Sequence, residues 1–158
     1  MIVSDAGPLI AFGRIKKLSI LYDTLGTLMV PTRVLQECLV DLSKLGAKEI
    51  KHAVEIQQIN PIQNNLSDDL LVYSDILGEG ELYAISLAIQ LSSGLLIDEK
   101  LGRSVAQQLD IKIIGTAGVL LLAYQKMVIR SVPEILNELQ LAGYFLSKQL
   151  ISEILKQL

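Results

Sequence analysis

Asp5, Asp98 and Thr116 stand at the ends of three short apolar runs, each typical of a β-strand. The predicted strands cover Met1–Ser4, Gly94–Asp98 and Lys112–Thr116. If these strands are parallel, the three oxygen-bearing side chains meet at the carboxyl edge of one sheet, where open α/β sheets bind their ligands. Helix caps and turns explain the same pattern equally well, because Asp is common at both.

Helix phase separates two further carboxylates, Glu79 and Glu81, at the start of a predicted helix that ends near Leu91. At about 100° per residue, Glu81 falls on the apolar face that carries Ile85, whereas Glu79 shares a polar face with Gln90. A carboxylate on an inward apolar face is costly unless a cation or hydrogen-bond donors meet it. Glu81 is therefore the stronger candidate ligand and Glu79 the second, although the helix dipole favours either acid at this end.

Clustered carboxylates suit Mg²⁺ or Mn²⁺, because these cations prefer oxygen ligands. Zinc sites recruit Cys and His, and the chain has one of each, Cys38 and His52. Cys38 lies on the apolar face of a predicted helix and is interpreted as a core thiol. His52, between lysines, is interpreted as a surface residue. A zinc site and a cysteine nucleophile are both disfavoured.

Short β-like runs alternate with longer helical patterns along the chain. Two more strands are predicted at Leu28–Val30 and, at an edge, Glu55–Ile59. Helices are predicted over Leu9–Ile15, Thr32–Leu42, Ala47–Ala53, Asp68–Leu77 with Ser67 as its N-cap, Glu79–Leu91, Gly102–Leu109, Thr116–Gln125, Pro133–Leu141 and Ser147–Leu158. This alternation predicts a three-layer α/β/α domain around a mostly parallel sheet of four or five strands.

Length and composition are those of one globular domain. The 158 residues are 51% hydrophobic and 20% charged, which predicts a single domain over 1–158 with a C-terminal helical pair at 133–158. The mean hydropathy of +0.45 favours a homodimer or another partner over apolar surface. One cysteine, no visible signal peptide and no membrane-length apolar run favour the cytoplasm. The net charge of −3 counts against nonspecific binding to nucleic acid, although bound cations weaken that objection.

Four blocks of the chain resemble the PIN-domain family, in particular a prokaryotic branch with a central Gly-Glu-x-Glu motif. The opening block is Val3–Ile10 and the central block is Leu77–Ile85, which contains Gly-Glu-Gly-Glu. The later blocks are Leu95–Ala106 and Ile114–Leu122. The similarity covers about residues 1–132, and the blocks are more specific together than any one of them alone.

The resemblance implies a set of four acidic residues that act as metal ligands and catalytic groups. They are Asp5, Glu37, Glu81 and Asp98. Toxin-like members of the family usually carry Asp at the position of Glu81, and Glu79 is a near rival for it. Only the resemblance makes Glu37 a candidate, since helix phase places it beside Arg33 as an ordinary surface residue. Thr116 is assigned to hold a carboxylate or the attacking water, and Arg103 to hold a substrate phosphate or to pair with the acids.

The function implied by the resemblance is Mg²⁺- or Mn²⁺-dependent hydrolysis of nucleic acid, with RNA as the expected substrate. Many small PIN proteins resemble toxins of toxin–antitoxin pairs, which implies an antitoxin protein as a possible partner. Two alternatives stay open. One is a phosphate-signalling receiver-like domain, which requires a Lys after a last strand; the chain offers Lys126, but this residue lies in a helix-like segment, which disfavours the alternative. The other is a catalytically inactive nuclease-fold module that binds RNA or a protein.

Overall fold

All five β-strands lie in one sheet, and each neighbouring pair is parallel. In the computed structural model, which describes residues 1–158, the strands are β1 (Ile2–Ser4), β2 (Leu28–Pro31), β3 (Ile59–Ile62), β4 (Leu95–Leu96) and β5 (Ile113–Ile114). Their order across the sheet is β3-β2-β1-β4-β5. Because every pairing is parallel, the carboxyl ends of all strands lie at one edge, with β1 at the centre.

Nine α-helices and one 3₁₀-helix connect and follow the strands. The α-helices are α1 (Ala6–Arg14), α2 (Ser19–Leu25), α3 (Thr32–Leu39), α4 (Ala47–Glu55), α5 (Glu79–Leu91), α6 (Lys100–Gln108), α7 (Thr116–Gln125), α8 (Val132–Leu141) and α9 (Lys148–Lys156); the 3₁₀-helix covers Asp68–Tyr73. No helix combines the length and the apolar character needed to cross a membrane.

The helices cover both faces of the sheet, which confirms the predicted three-layer α/β/α fold. Side chains alternate along the strands, so that Leu28 and Val30 face one apolar core and Met29 faces the other. The first core contains side chains of α1–α4 and α7–α9, and the second contains those of α5 and α6. Helix α5 is buried on several sides, as its nearly uniform apolar sequence predicts.

The structure corrects the predicted strand Glu55–Ile59. Helix α4 continues to Glu55, and the strand covers Ile59–Ile62 instead. Gln57 separates the two elements with a φ of 62°, which is a left-handed turn that the sequence pattern does not reveal. Pro61, which lacks an N–H donor, is exposed on this strand at the edge of the sheet, where proline is tolerated.

Two predicted helices are shorter than expected. Helix α3 ends at Leu39 rather than Leu42, because the Asp41 carboxylate accepts hydrogen bonds from the Ser43 N–H at 3.0 Å and the Ser43 hydroxyl at 2.6 Å and forms a local turn. The predicted helix Asp68–Leu77 is a 3₁₀-helix over Asp68–Tyr73, and Ser67 makes no side-chain capping bond.

A glycine pair brings α1 and the start of α4 into direct backbone contact. A Cβ atom on Gly13 would lie 3.0 Å from the Gly46 carbonyl oxygen, and one on Gly46 would lie 3.0 Å from the Arg14 nitrogen. Gly46 also has a φ of +90°, which few residues other than glycine adopt. The two helices therefore approach more closely than side chains would allow.

The receiver-like alternative is wrong on two counts. Receiver domains have the strand order 2-1-3-4-5, which differs from the order found here. Lys126 follows the C-terminus of α7, and its Nζ donates to the Thr24 carbonyl oxygen at 2.8 Å. It therefore lies at the opposite end of α7 from the carboxyl edge of the sheet.

Candidate metal-binding active site

Asp5 lies where the central strand β1 ends and α1 begins. Its backbone N–H donates to the Leu96 carbonyl oxygen at 3.0 Å, which ties it to β4. The residue is 7% exposed. Burial raises the pKa of its carboxyl group to about 6; the Ala6 backbone N–H opposes this, and three neighbouring carboxylates add to it. These carboxylates belong to Glu37, Asp98 and Glu99.

Asp98 follows β4, and the first residue of α7 holds it in place. Thr116 donates its backbone N–H to Asp98 Oδ1 at 2.7 Å and its hydroxyl to Asp98 Oδ2 at 2.6 Å. Thr116, which follows the neighbouring strand β5, thereby fixes the orientation of both carboxylate oxygens. Asp98 and Thr116 therefore meet at the carboxyl edge of the sheet, as the sequence predicts.

Glu81 and Glu99 form a close carboxylate pair above Gly102. A Cβ atom on Gly102 would lie 3.1 Å from Glu81 Oε2 and 3.3 Å from Glu99 Oε2. Burial, followed by the hydrogen bond and charge of Glu99, raises the pKa of Glu81 to about 7. Two carboxylates share a hydrogen bond only when one of them is protonated. No other donor of the protein reaches the buried Glu81 Oε2, so the pair is unfavourable when both carboxylates are charged.

Glu99 is the charged member of this pair. It is the N-cap of α6, and its Oε2 accepts the Gly102 N–H at 2.6 Å. Burial raises the pKa of Glu99, but the hydrogen bonds from the Gly102 and Leu101 backbones and from Glu81 outweigh it, and the net direction is downward. The shared proton therefore resides on Glu81.

Glu37 approaches the site from α3 and is exposed to solvent. Its carboxylate lies against the first turn of α5, where a Cβ atom on Gly80 would be 2.9 Å from Glu37 Oε2. The charge of Glu37 contributes to the raised pKa of Asp5. The structure thus brings Asp5, Glu37, Glu81 and Asp98 to the same edge of the sheet.

The sequence matches one family model along residues 1–158, DUF3368, which is described as a PIN domain. This chain belongs to the PIN-domain family. No curated protein matches it. PIN domains are generally nucleases, and the fold of this one is accordingly a nuclease fold.

PIN nucleases typically use divalent metal ions, and the donor set of this PIN domain fits such an ion. All candidate ligands are carboxylates, which hard divalent cations prefer, and the buried Glu81 Oε2 is reached by no donor of the protein when Glu81 is charged. No three of the acids lie close enough to hold one ion together. Coordination of one ion by three or more of these acids therefore requires that their side chains rotate toward one another, whereas one or two carboxylates with water suffice for Mg²⁺.

Glu79 lies apart from the other acids of the PIN domain. It is exposed, and its Oε2 accepts a hydrogen bond from Arg33 Nη2 at 2.8 Å. The residue two positions on, Glu81, turns toward Asp5 and Glu99 instead. The helix-phase argument that separated these two glutamates agrees with their placement.

Arg103 and Lys100 lie beside Asp98 at the start of α6. Arg103 Nη1 donates to the Ile97 carbonyl oxygen at 3.4 Å. Neither of the two ion pairs in the protein, Lys17–Glu138 and Arg33–Glu79, involves Arg103. The expected pairing of Arg103 with the acids is therefore absent, and its charge remains available to a phosphate.

The remaining chemically versatile side chains of this PIN domain take no part in the site. Cys38 is 7% exposed, and burial, with the charges of Glu37 and Asp5, raises the pKa of its thiol to about 12. It is therefore a protonated core thiol rather than a nucleophile. His52 is exposed on α4.

Sequence reasoning missed two residues of the site, Glu99 and Tyr144. The signal for Glu99 was its position three residues before Gly102, at the start of a predicted helix, where a carboxylate caps the backbone. Tyr144 has no such signal, because it lies between α8 and α9. Its hydroxyl donates to Thr116 Oγ1 at 3.4 Å, and burial followed by the charge of Asp98 raises its pKa.

Proposed function

We propose that this PIN domain is a divalent-metal-dependent ribonuclease that uses Mg²⁺ or Mn²⁺ to hydrolyse phosphodiester bonds. The supporting observation is the crowding of Asp5, which is buried and destabilised in its charged form by three other carboxylates. Such crowding is a marker of functional sites, and a divalent cation relieves it. RNA is proposed as the substrate on the family resemblance.

Asp5 and Asp98 serve as the principal ligands in this proposal, and Glu81 and Glu37 complete the set. Glu99 joins them as a partner of Glu81. A divalent ion supplies the positive charge that lowers the pKa of an attacking water and stabilises the phosphodiester transition state. Thr116 keeps Asp98 in one rotamer through its two hydrogen bonds. Arg103 offers a fork of donors to a phosphate.

The test is cleavage of end-labelled single-stranded RNA by the purified protein with Mn²⁺, with Mg²⁺ and with a chelator. Cleavage is expected with either metal and not with the chelator. Asp98→Asn, purified in parallel, is expected to be inactive. Any cleavage that remains in this variant therefore measures contaminating nucleases. Asp110→Asn is the matched control, because Asp110 is exposed in a turn with a φ of 60° that Asn also adopts. Equal cleavage by wild type and Asp98→Asn would refute the proposal.

The two glutamates that open α5 are expected to differ sharply when each is neutralised. Glu79→Gln loses only a solvent-exposed ion pair, which contributes little to stability, and its cleavage rate is expected to stay within about twofold of wild type. Glu81→Gln removes a proposed ligand and is expected to lower the rate more than about tenfold. Initial cleavage rates of the two variants are compared at saturating Mn²⁺. A larger loss of rate in Glu79→Gln than in Glu81→Gln would exclude Glu81 as the ligand.

Gly80→Ala is expected to lower activity without unfolding the protein. Its Cβ would lie 2.9 Å from Glu37 Oε2, and the exposed Glu37 side chain can move away at little cost. Displacing this carboxylate is expected to reduce the rate about tenfold, with a melting temperature close to that of wild type. Gly7→Ala is the control, since nothing lies within 4 Å of its Cβ position. Unchanged activity of Gly80→Ala would remove Glu37 from the proposed set.

A second candidate function is a catalytically inactive module that binds RNA or a protein. The observation that favours it is that no three acids lie within reach of one ion. Calorimetry with Mn²⁺ distinguishes the two functions. Binding that is lost in both Asp5→Asn and Asp98→Asn supports the nuclease, whereas a folded wild-type protein that binds no metal supports the module.

A role as the toxin of a toxin–antitoxin pair, with an antitoxin protein as partner, rests on the family resemblance. A cytoplasmic homodimer is proposed from the mean hydropathy of +0.45. Val40, Leu45 and Ile56 expose apolar side chains near α3 and α4 and are available to a partner. Sedimentation equilibrium of the purified protein tests the dimer directly.

A further inference from the structure

A cleft of about 1120 Å³ begins at Asp98 and runs between α6, α7 and the C-terminal helix α9. One wall carries Lys100 and Arg103, and the opposite wall carries Phe145 and Glu153. The cleft is continuous with the proposed active site because Asp98 lines it. None of the acids Asp5, Glu37, Glu81 or Glu99 is among its lining residues.

Phe145 presents its ring to solvent although it has apolar neighbours. The residue is 77% exposed, whereas Tyr144 and Leu146 on either side pack against the first core. In this short segment between α8 and α9, side chains alternate between core and solvent, so the Phe145 ring points away from the core. An exposed aromatic ring in a cleft beside the proposed active site resembles the aromatic side chains on which nucleic-acid bases stack.

The charge in the cleft suits a short strand rather than a long duplex. Beyond Asp98, two cations, Lys100 and Arg103, face one acid, Glu153. Two phosphates at most are matched by cations, so affinity must come largely from contacts to bases. Bases are open to a flat aromatic ring only where they are unpaired.

We propose that this cleft binds a single-stranded nucleic-acid segment, with one base stacked on Phe145 and the adjoining phosphates held by Arg103 and Lys100. The proposal rests on the proposed nuclease function and names the substrate form that the site accepts. The strand enters the acidic site past Asp98. Phe145 is a positioning residue, because its ring holds a base rather than the reacting phosphate.

The test measures binding of labelled eight-nucleotide strands by fluorescence anisotropy in the Asp5→Asn background without added metal. This background keeps the strand intact, and Asp5 does not line the cleft. Phe145→Ala is expected to weaken binding about tenfold, and Phe145→Trp to bind at least as tightly as the parent. Phe145→Leu, which lacks a π-face, is expected to bind like Phe145→Ala. Tyr124→Ala is the control, because Tyr124 is 42% exposed but lies outside the cleft.

The dependence on salt provides a second readout. For two phosphate contacts, the slope of log affinity against log salt is about −1.4, and Arg103→Ala is expected to reduce it by about half. Duplexes of the same length are expected to bind more weakly than single strands. RNA and DNA strands compared in parallel show whether the cleft also distinguishes the sugar.

Several outcomes would overturn the proposal. They are equal binding by Phe145→Ala and its parent, duplex binding as tight as that of single strands, and no strand binding at all. A change of oligomeric state in Phe145→Ala with unchanged strand binding would also overturn it and assign the ring to a protein contact. Binding that depends on Phe145 in a protein that cleaves nothing would support the cleft while the nuclease proposal fails, and the two are thereby separated.

Discussion

Asp5→Asn is expected to abolish metal-dependent cleavage and at the same time to raise the melting temperature of the metal-free protein at pH 7.5. The loss of a principal ligand is expected to lower the rate more than about 100-fold. The gain in stability follows because the asparagine side chain cannot carry the charge that burial and three other carboxylates disfavour at this position.

The direction of the pH dependence follows from the pKa of Asp5. Folding raises it from the ordinary value of 3.8 to about 6, so the folded protein holds this proton more tightly than the unfolded chain does. The resulting stabilisation is complete below about pH 4 and is lost as the pH rises through 6. The difference between these two pKa values, 3.8 and about 6, corresponds to about 3 kcal/mol. This value is an upper bound on the increase in the free energy of unfolding that Asp5→Asn gives at pH 7.5.

Thermal denaturation in a chelator at pH 4.5 and pH 7.5 measures the effect. For a chain of this length, each kcal/mol corresponds to about 2–4 °C, and the difference between Asp5→Asn and wild type is expected to shrink at the lower pH. Saturating Mn²⁺ reverses the order, because only wild type gains the free energy of metal binding. A variant that is less stable than wild type at pH 7.5 without metal would show that Asp5 is a structural residue.

Mn²⁺ affinity is expected to increase on the order of 100-fold between pH 5.5 and pH 7.5. A carboxylate must lose its proton to bind the ion, and the pKa values of Asp5 and Glu81 are raised to about 6 and about 7. Both groups therefore carry protons at pH 5.5 and mostly lack them at pH 7.5. Metal binding near pH 6.5 is expected to release about one proton.

Calorimetry in buffers of different ionisation enthalpy measures both the affinity and the number of protons released. Glu81→Gln is expected to bind more weakly and to lose most of the pH dependence above pH 6.5, since Gln has no proton to release. Glu134→Gln serves as a control on an exposed acid of α8. An affinity independent of pH over this range would show that neither Asp5 nor Glu81 binds the ion.

The residues at strand ends were predictable because parallel strands impose their geometry. Three apolar runs that end in Asp5, Asp98 and Thr116 require only that the sheet be parallel for these side chains to meet. Glu81 was separated from Glu79 by helix phase alone, since one side of the first turn of α5 faces the core and the other faces Arg33. These inferences depend on periodicity, which the sequence contains directly.

The features that were missed depend on turns and on contacts distant in sequence. The true position of β3 follows from a left-handed residue, Gln57, and the end of α3 from the side-chain turn at Asp41. Glu99 was overlooked because its neighbour Asp98 already explained the strand end. Tyr144 reaches Thr116 across 28 positions of the chain, and no local pattern encodes such a contact.

The close contact between Gly13, at the C-terminal end of α1, and Gly46 couples the position of this helix to a residue far from the acidic site. Asp5 precedes the first residue of α1, and Gly13, which contacts Gly46, lies about 12 Å from Asp5 along the helix axis. A methyl group at Gly13 would meet the Gly46 carbonyl oxygen at 3.0 Å, so the two backbones would have to separate and α1, which Asp5 precedes, is expected to shift. The spacing of the carboxylates is therefore sensitive to a substitution at a point remote from all of them.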